Sequence, residues 1–333
     1  MPRYRHALPQ LSGPKVFLAD GGLETTLVFL AGIDLPGFAA FPLVADEGGR
    51  AKLRGYFRPY LATAARAGAG FVLDTPTWRA NADWGERLGY SAAALAEINR
   101  QSVAMAADLR DAWTTPETPI VLNGVLGPRG DGYRADARMS ADEAQGYHAA
   151  QIEAFRDGEA DMISAITMTY PEEAVGIARA AKAAGLPAAI SFTVETDGRL
   201  PSGDTLKAAI EQVDRATANA PAYYMINCAH PLHFEDALAA GEASGDPWVH
   251  RIRGIRANAS TMSHAELDAM TELDCGDPAD LGRRYRGLRR RLPGVCVMGG
   301  CCGTDHRHIA AICEACVAPP IPSPPDGGPD LNP

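Results

Sequence analysis

"VCVMGGCCGT", residues 295–304, begins as an unbroken apolar run and ends in two adjacent cysteines framed by glycines. An apolar run this short, bounded by turn residues, reads as a strand buried on both faces of a parallel sheet. Seven similar runs precede it: "VFLAD" (16–20), "FVLDT" (71–75), "IVLNG" (120–124), "MISAI" (162–166), "AAISF" (188–192), "YYMIN" (223–227) and "IRGIRA" (252–257). Ala-rich helical stretches lie between them, at 51–67, 91–112, 141–157, 172–184, 205–219 and 278–291. Ser140 with Glu143, and Ser263 with Glu266, have capping-box spacing ahead of an apolar stripe. "RAG" at 66–68 and "AAG" at 183–185 offer a C-terminal glycine stop.

Eight strand–helix units predict an α/β fold, a single-domain (β/α)8 TIM barrel over residues 16–318. A doubly wound sheet would share the alternation. No GxGxxG follows the first run and no P-loop is present, which weakens a nucleotide-binding reading. Residues 1–15 form an N-terminal extension, and the Pro- and Gly-rich tail at 319–333 is expected to be disordered.

The chain has 333 residues, 46% hydrophobic and 22% charged, with a net charge of -10. That balance, without a basic stripe carrying aromatics, argues against a nucleic-acid partner. The run Arg289, Arg290, Arg291 reads as a solvated helix end. No apolar run nears the ~20 residues of a membrane span, and the start lacks an apolar signal region, so a reducing cytoplasm is the expected setting. The oligomeric state is not encoded in any of these features.

In a barrel the C-terminal ends of the strands converge on one face. Asp20, Gly21, Gly22 and Glu24 follow the first run, Asp74, Thr75, Thr77 and Trp78 the second, and Asn123 and Gly124 the third. Thr193 and Glu195 follow the fifth, Asn227 and Cys228 the sixth, Asn258 the seventh, and Cys301 and Cys302 the eighth. This concentration of polar side chains predicts an active site at that rim.

All seven cysteines lie at or beyond residue 228, and in a reducing compartment such clustering points to metal or catalysis. Cys228, Cys301 and Cys302 would share one rim, and three thiolates are soft donors that leave a zinc ion one open position. A local alternative joins Cys301, Cys302, Cys313 and Cys316 in a closed four-cysteine site. Against it, Ile309, Ile312, Cys313 and Cys316 fall on one helical stripe, where a thiol packs as a small hydrophobe. Cys275 and Cys296 read as structural, and His230, His233, His306 and His308 as surface or capping residues.

"ADGGLET" (19–25), "TPTWRAN" (75–81), "INCAHP" (226–231) and "MGGCCGT" (298–304) together resemble the homocysteine S-methyltransferase family, in order and spacing, from about residue 16 to 316. The resemblance implies a barrel with zinc held by Cys228, Cys301 and Cys302. It also implies methyl transfer from a small-molecule donor to the thiol of homocysteine, giving methionine, with no catalytic group beyond the metal-bound substrate thiolate. A free alkyl thiol has a pKa near ~8.5, and coordination to zinc deprotonates it.

The "DGGLET" turn suits the amino-acid part of such an acceptor: Gly21 and Gly22 offer amides to a carboxylate, and Asp20 or Glu24 could pair with an ammonium. Trp78 and Tyr170 are candidate faces for an onium methyl group. Many relatives carry a Glu–Thr pair at the end of strand four. Here "SAITMTYPEEA" puts Ile166 at the glutamate position and Thr167 at the threonine, and Glu195, with Asp20, is the expected replacement. S-methylmethionine or S-adenosylmethionine is the expected donor, with betaine next. The alternatives are another thiol or selenol acceptor, or a non-catalytic zinc- or thiol-binding protein.

Overall fold

The computed structural model describes residues 1–136 and 138–317; the expected disorder of 319–333 lies outside them. Eight parallel strands close into a barrel in sequence order: β1 Phe17–Leu18, β2 Gly70–Asp74, β3 Ile120–Leu126, β4 Met162–Met168, β5 Ala188–Phe192, β6 Tyr223–Asn227, β7 Ile252–Ala257 and β8 Val297–Gly300. β8 pairs with β1 through Phe17 and Val297, which closes the ring and excludes the open doubly wound sheet. Each strand is followed by a crossover helix, the last two being Pro278–Arg291 and His306–Cys316. The Ser140 and Ser263 capping boxes form as expected, and Gly68 and Gly185 end their helices at φ 61° and 69°. One crossover helix the sequence pattern did not announce is Pro231–Ala243; Pro231 pre-sets its first turn and His230 Nδ1 accepts from the Leu232 amide.

Alternation along the strands sorts the core into two parts. Phe71, Leu73, Leu122, Ile163, Ile190, Tyr224, Ile226 and Met298 pack outward against the helices. Val72, Val121, Met162, Ala189, Tyr223, Met225 and Val297 fill the lumen. Leu8, Tyr4 and Leu11 join this inner cluster, so the segment before β1 caps the barrel floor. It is fixed there by Asp161, whose Oδ1 accepts from the Arg3 and Tyr4 amides at 2.6 and 2.8 Å.

Two residues further along each strand, the same inward parity delivers polar side chains. Asp74, Asn123, Ser164, Ser191, Asn227 and Arg256 are all buried. Asn123 Nδ2 donates to Asp74 Oδ1 at 2.7 Å, Ser164 Oγ donates to Asn123 Oδ1 at 3.1 Å, and Ser191 Oγ donates to Asn227 Oδ1 at 2.6 Å. The lumen thus changes from an apolar layer to a hydrogen-bonded polar layer below the rim that carries the cysteines.

Candidate metal centre and substrate cavity

The chain turns sharply where β6 and β8 end. Cys228 takes φ 51°, its amide donates to Arg256 O at 3.1 Å, and its carbonyl accepts from His264 Nε2 at 2.7 Å. After β8, the Cys301 amide donates to Ala257 O, and the Cys301 carbonyl accepts from Thr304 Oγ1 at 2.7 Å. Gly303 sits at φ 79°, and a Cβ there would lie 2.4 Å from Asp274 O. This position therefore needs glycine, and with it Cys301 and Cys302 present their sulfurs to the same point.

The Sγ atoms of Cys228, Cys301 and Cys302 all lie within 4.8 Å of one another. A tetrahedral zinc with Zn–S near 2.3 Å needs its sulfurs about 3.8 Å apart, a spacing of the same scale as this cluster once all three thiols are reduced. Cys228 and Cys301 are joined in a disulfide, with Cα atoms 5.3 Å apart, and Cys302 is a free thiol. Cysteine binds zinc as the thiolate, so the reduced form is the one with three donors. Cys313 and Cys316 are buried in the outer apolar layer, which sets aside the four-cysteine alternative. His230 and His308 cap helices, His233 Nε2 meets Thr261 O, and His306 is exposed.

The sulfurs open into a cavity of about 380 Å³. Asp20, Gly21, Gly22, Glu24, Thr75, Trp78, Thr167 and Asn227 all line it, as do Phe29, Phe38, Arg79, Tyr133, Ile166 and Arg256. Glu195 is the expected site residue the structure does not bring there. The chain runs past β5 and folds back, so that the Glu195 amide donates to Arg199 O. The Glu195 carboxylate hydrogen-bonds His264 Nδ1 at 3.0 Å. Tyr170 also stays outside the cavity lining; its hydroxyl accepts from the Met139 amide at 3.0 Å.

Several residues inside the cavity already have partners. Asp20 is paired with Arg256 and accepts from the Tyr56 hydroxyl at 3.0 Å. Burial, opposed by Arg256 and reinforced by Asp74, holds its carboxyl up at about 6. The Gly22 amide donates to Thr304 O at 3.0 Å and is not left for a substrate carboxylate. Thr75 Oγ1 accepts from the Val125 amide at 2.9 Å. Thr167, at φ 67°, donates its amide to Asn227 Oδ1 at 2.9 Å, and its hydroxyl accepts from Asn227 Nδ2 at 2.8 Å. Trp78 Nε1 donates to Ile166 O at 3.2 Å, which ties the second rim loop to β4.

Two residues escaped the sequence reading. Arg256 is buried between Asp20 and Asp74 and is the only cation in the polar layer among the described residues. Its signal was available: of the two arginines in "IRGIRA", Arg256 is the one at inward parity, two residues beyond Gly254. Tyr133 comes from the loop after β3. Its hydroxyl lies 3.3 Å from Cys302 Sγ and its ring stacks on His264 at 4.0 Å. No local pattern in that loop singles it out.

Residues 17–316 match the profile of the homocysteine S-methyltransferase family. Among solved structures, the metallated form of the homocysteine methyltransferase MmuM from Escherichia coli is similar, with 21% identity, a TM-score of 0.65, and coverage of 90% of this chain and 95% of that one. Its oxidized form is similar at 23% identity and a TM-score of 0.65, covering 89% and 94% of the two chains. These likenesses bear on the fold; the family follows from the profile, which takes in the barrel from β1 to the helix after β8. With three convergent thiols at its rim, the chain is a methyltransferase enzyme belonging to the homocysteine S-methyltransferase family.

Proposed function

We propose that this enzyme holds zinc through Cys228, Cys301 and Cys302 and transfers a methyl group from an onium donor to the thiol of homocysteine, giving methionine. S-methylmethionine or S-adenosylmethionine is the preferred donor. The observation that carries the reading is the convergence of three cysteine sulfurs within 4.8 Å on the wall of the rim cavity.

Zinc, when bound, supplies Lewis acidity that keeps the acceptor sulfur as a thiolate at neutral pH. Cys228, Cys301 and Cys302 as thiolates would outweigh its two positive charges, so a sulfur added beside them would stay electron-rich. The acceptor thiol gives up its proton on binding, and its sulfur forms the new S–CH3 bond as the donor's onium–CH3 bond breaks. The donor leaves as a neutral thioether, or as a tertiary amine from betaine, and the positive charge is lost in transfer. Aromatic side chains of Phe29, Phe38, Trp78 and Tyr133 on the cavity wall suit an onium carbon.

The test crosses homocysteine, simpler thiols and a selenol with the three donors, using reduced, zinc-loaded protein. Metal content and product should fall together in Cys228→Ser, Cys301→Ser and Cys302→Ser, and both should persist in Cys313→Ser and Cys316→Ser. Zinc retained in Cys228→Ser but lost in Cys313→Ser would refute the ligand set. Because Ile166 presents an apolar surface to the cavity, a simpler thiol outperforming homocysteine would move the acceptor to the second reading. We further propose a reducing cytoplasmic setting and a role in methionine biosynthesis; in support, no helix among the described residues is long and apolar enough to cross a membrane.

A further inference from the structure

Most carboxylates that face the cavity are either paired or out in solvent. Asp20 and Asp74 share Arg256. Asp131 accepts from the Tyr133 amide at 2.7 Å and is exposed, as are Asp268 and Glu272. Asp274 accepts from the Gly276 amide at 2.9 Å. Glu24 differs from all of these. It is half-buried on the cavity wall, and among the described residues it has no ion pair and no hydrogen bond from another residue.

Its neighbours leave it in that state. Arg256 is committed to the two aspartates, and Arg79 donates to Gly37 O while its guanidinium covers Trp84 at 3.9 Å. Burial pushes the Glu24 carboxyl up to about 7, with the Asp20 charge adding to the shift and the two arginines opposing it. A desolvated carboxylate without a partner is costly in a folded protein. In an enzyme cavity such a group is matched to a charge that the ligand brings.

Glu24 lines the same cavity as the three cysteines. Two residues before it, a Cβ on Gly22 would meet Cys301 O at 2.6 Å, so the turn that carries Glu24 packs against the cysteine pair. In homocysteine the ammonium is only two methylenes and the α-carbon away from the sulfur. An acceptor anchored by sulfur at the three cysteines therefore keeps its ammonium inside the cavity that Glu24 lines. Asp20 is excluded from that role by Arg256 and Tyr56, and Glu195 by its position outside the cavity lining.

We infer that Glu24 is the counter-ion for the acceptor's α-ammonium and the residue that selects an amino-acid thiol over a plain alkyl thiol. The inference rests on the thiol-methyltransferase reading above. It assigns to one side chain the selection that Ile166 cannot make.

The experiment compares wild type with Glu24→Gln, both zinc-loaded, on homocysteine and on 4-mercaptobutanoate, which is homocysteine without its ammonium. Wild type should favour homocysteine at least a hundredfold in kcat/KM. In Glu24→Gln the KM for homocysteine should rise more than tenfold, that for 4-mercaptobutanoate should stay within threefold, and the preference should fall below tenfold. The KM of the donor should not move. A second readout needs no catalysis: the free variant should melt higher than wild type at pH 8 and about equally at pH 5, because the amide removes a charge that burial disfavours. Retained preference, a rise in the donor's KM instead, or a lower melting temperature at both pH values would each overturn the inference. Wild-type protein that methylates neither thiol and does not bind homocysteine by calorimetry would overturn the underlying reading, and this inference with it.

Discussion

Replacing Arg256 by methionine isolates the electrostatics of the polar layer. Met keeps much of the arginine's length and removes its charge and its donors. Asp20 and Asp74 would then face each other, buried, with the Tyr56 hydroxyl and Asn123 Nδ2 as their remaining donors. Removing one partner of a buried ion pair costs about 3–5 kcal/mol. At roughly 2.1 cal/mol/K per residue for unfolding, that is a fall in melting temperature of about 4–7 °C for this chain of 333 residues. The deficit should depend on pH. Asp20 already titrates at about 6 in the folded protein, above its unfolded value of ~3.9. Without the guanidinium, burial and the Asp74 charge are opposed only by the Tyr56 hydroxyl and move it further up. A carboxyl with a raised folded value contributes stability at low pH that is lost as pH rises through that value. Calorimetric melting at pH 5 and pH 8 should therefore show a small deficit at pH 5 and the full one at pH 8. Adding Asp20→Asn to Arg256→Met should recover part of the loss at pH 8. A deficit below 1 kcal/mol at pH 8, or one that does not change with pH, would refute the view that Arg256 is held there to balance the aspartates.

Two further outcomes test the rim. Tyr133→Phe removes the hydroxyl at 3.3 Å from Cys302 Sγ and should weaken zinc about tenfold, in the range for partners of metal ligands; competition against a zinc chelator measures it, and unchanged affinity would mean the contact is incidental. Gly303→Ala places a Cβ against Asp274 O at φ 79° and should displace the cysteine pair, with zinc lost before global stability; a metal assay beside thermal melting separates the two.

The barrel was legible because most strands share one pattern, an apolar run closed by a polar residue or glycine, with β7 "IRGIRA" the departure. Strand positions shifted only at their ends. β1 is limited to Phe17–Leu18 and β8 starts at Val297, while β4 extends to Met168 through a register irregularity. The cysteine cluster was legible for the same reason, since strand order places the ends of β6 and β8 on one rim. Charge pairing across the lumen was not. Asp20, Asp74 and Arg256 are up to 236 positions apart, and no local pattern states that an aspartate in a substrate-like turn is already taken. Glu195 was misplaced because proximity along the rim was read from strand adjacency, whereas the loop beyond Phe192 carries its carboxylate to His264.

The stacking of an apolar and a polar layer inside one lumen bears on how this enzyme can change. The apolar row from Val72 to Val297 and the residues above it alternate on the same strands, so mutational tolerance differs between positions only two apart. Drift in the lower row reduces the margin that keeps the chain folded. On the function proposed above, drift at cavity-lining positions such as Ile166 and Glu24 would alter which molecule is accepted at little cost to that margin. Lineages, or engineers, can therefore explore new acceptors at the rim without first stabilising the scaffold, provided the Asp20–Arg256–Asp74 bridge is inherited as a block.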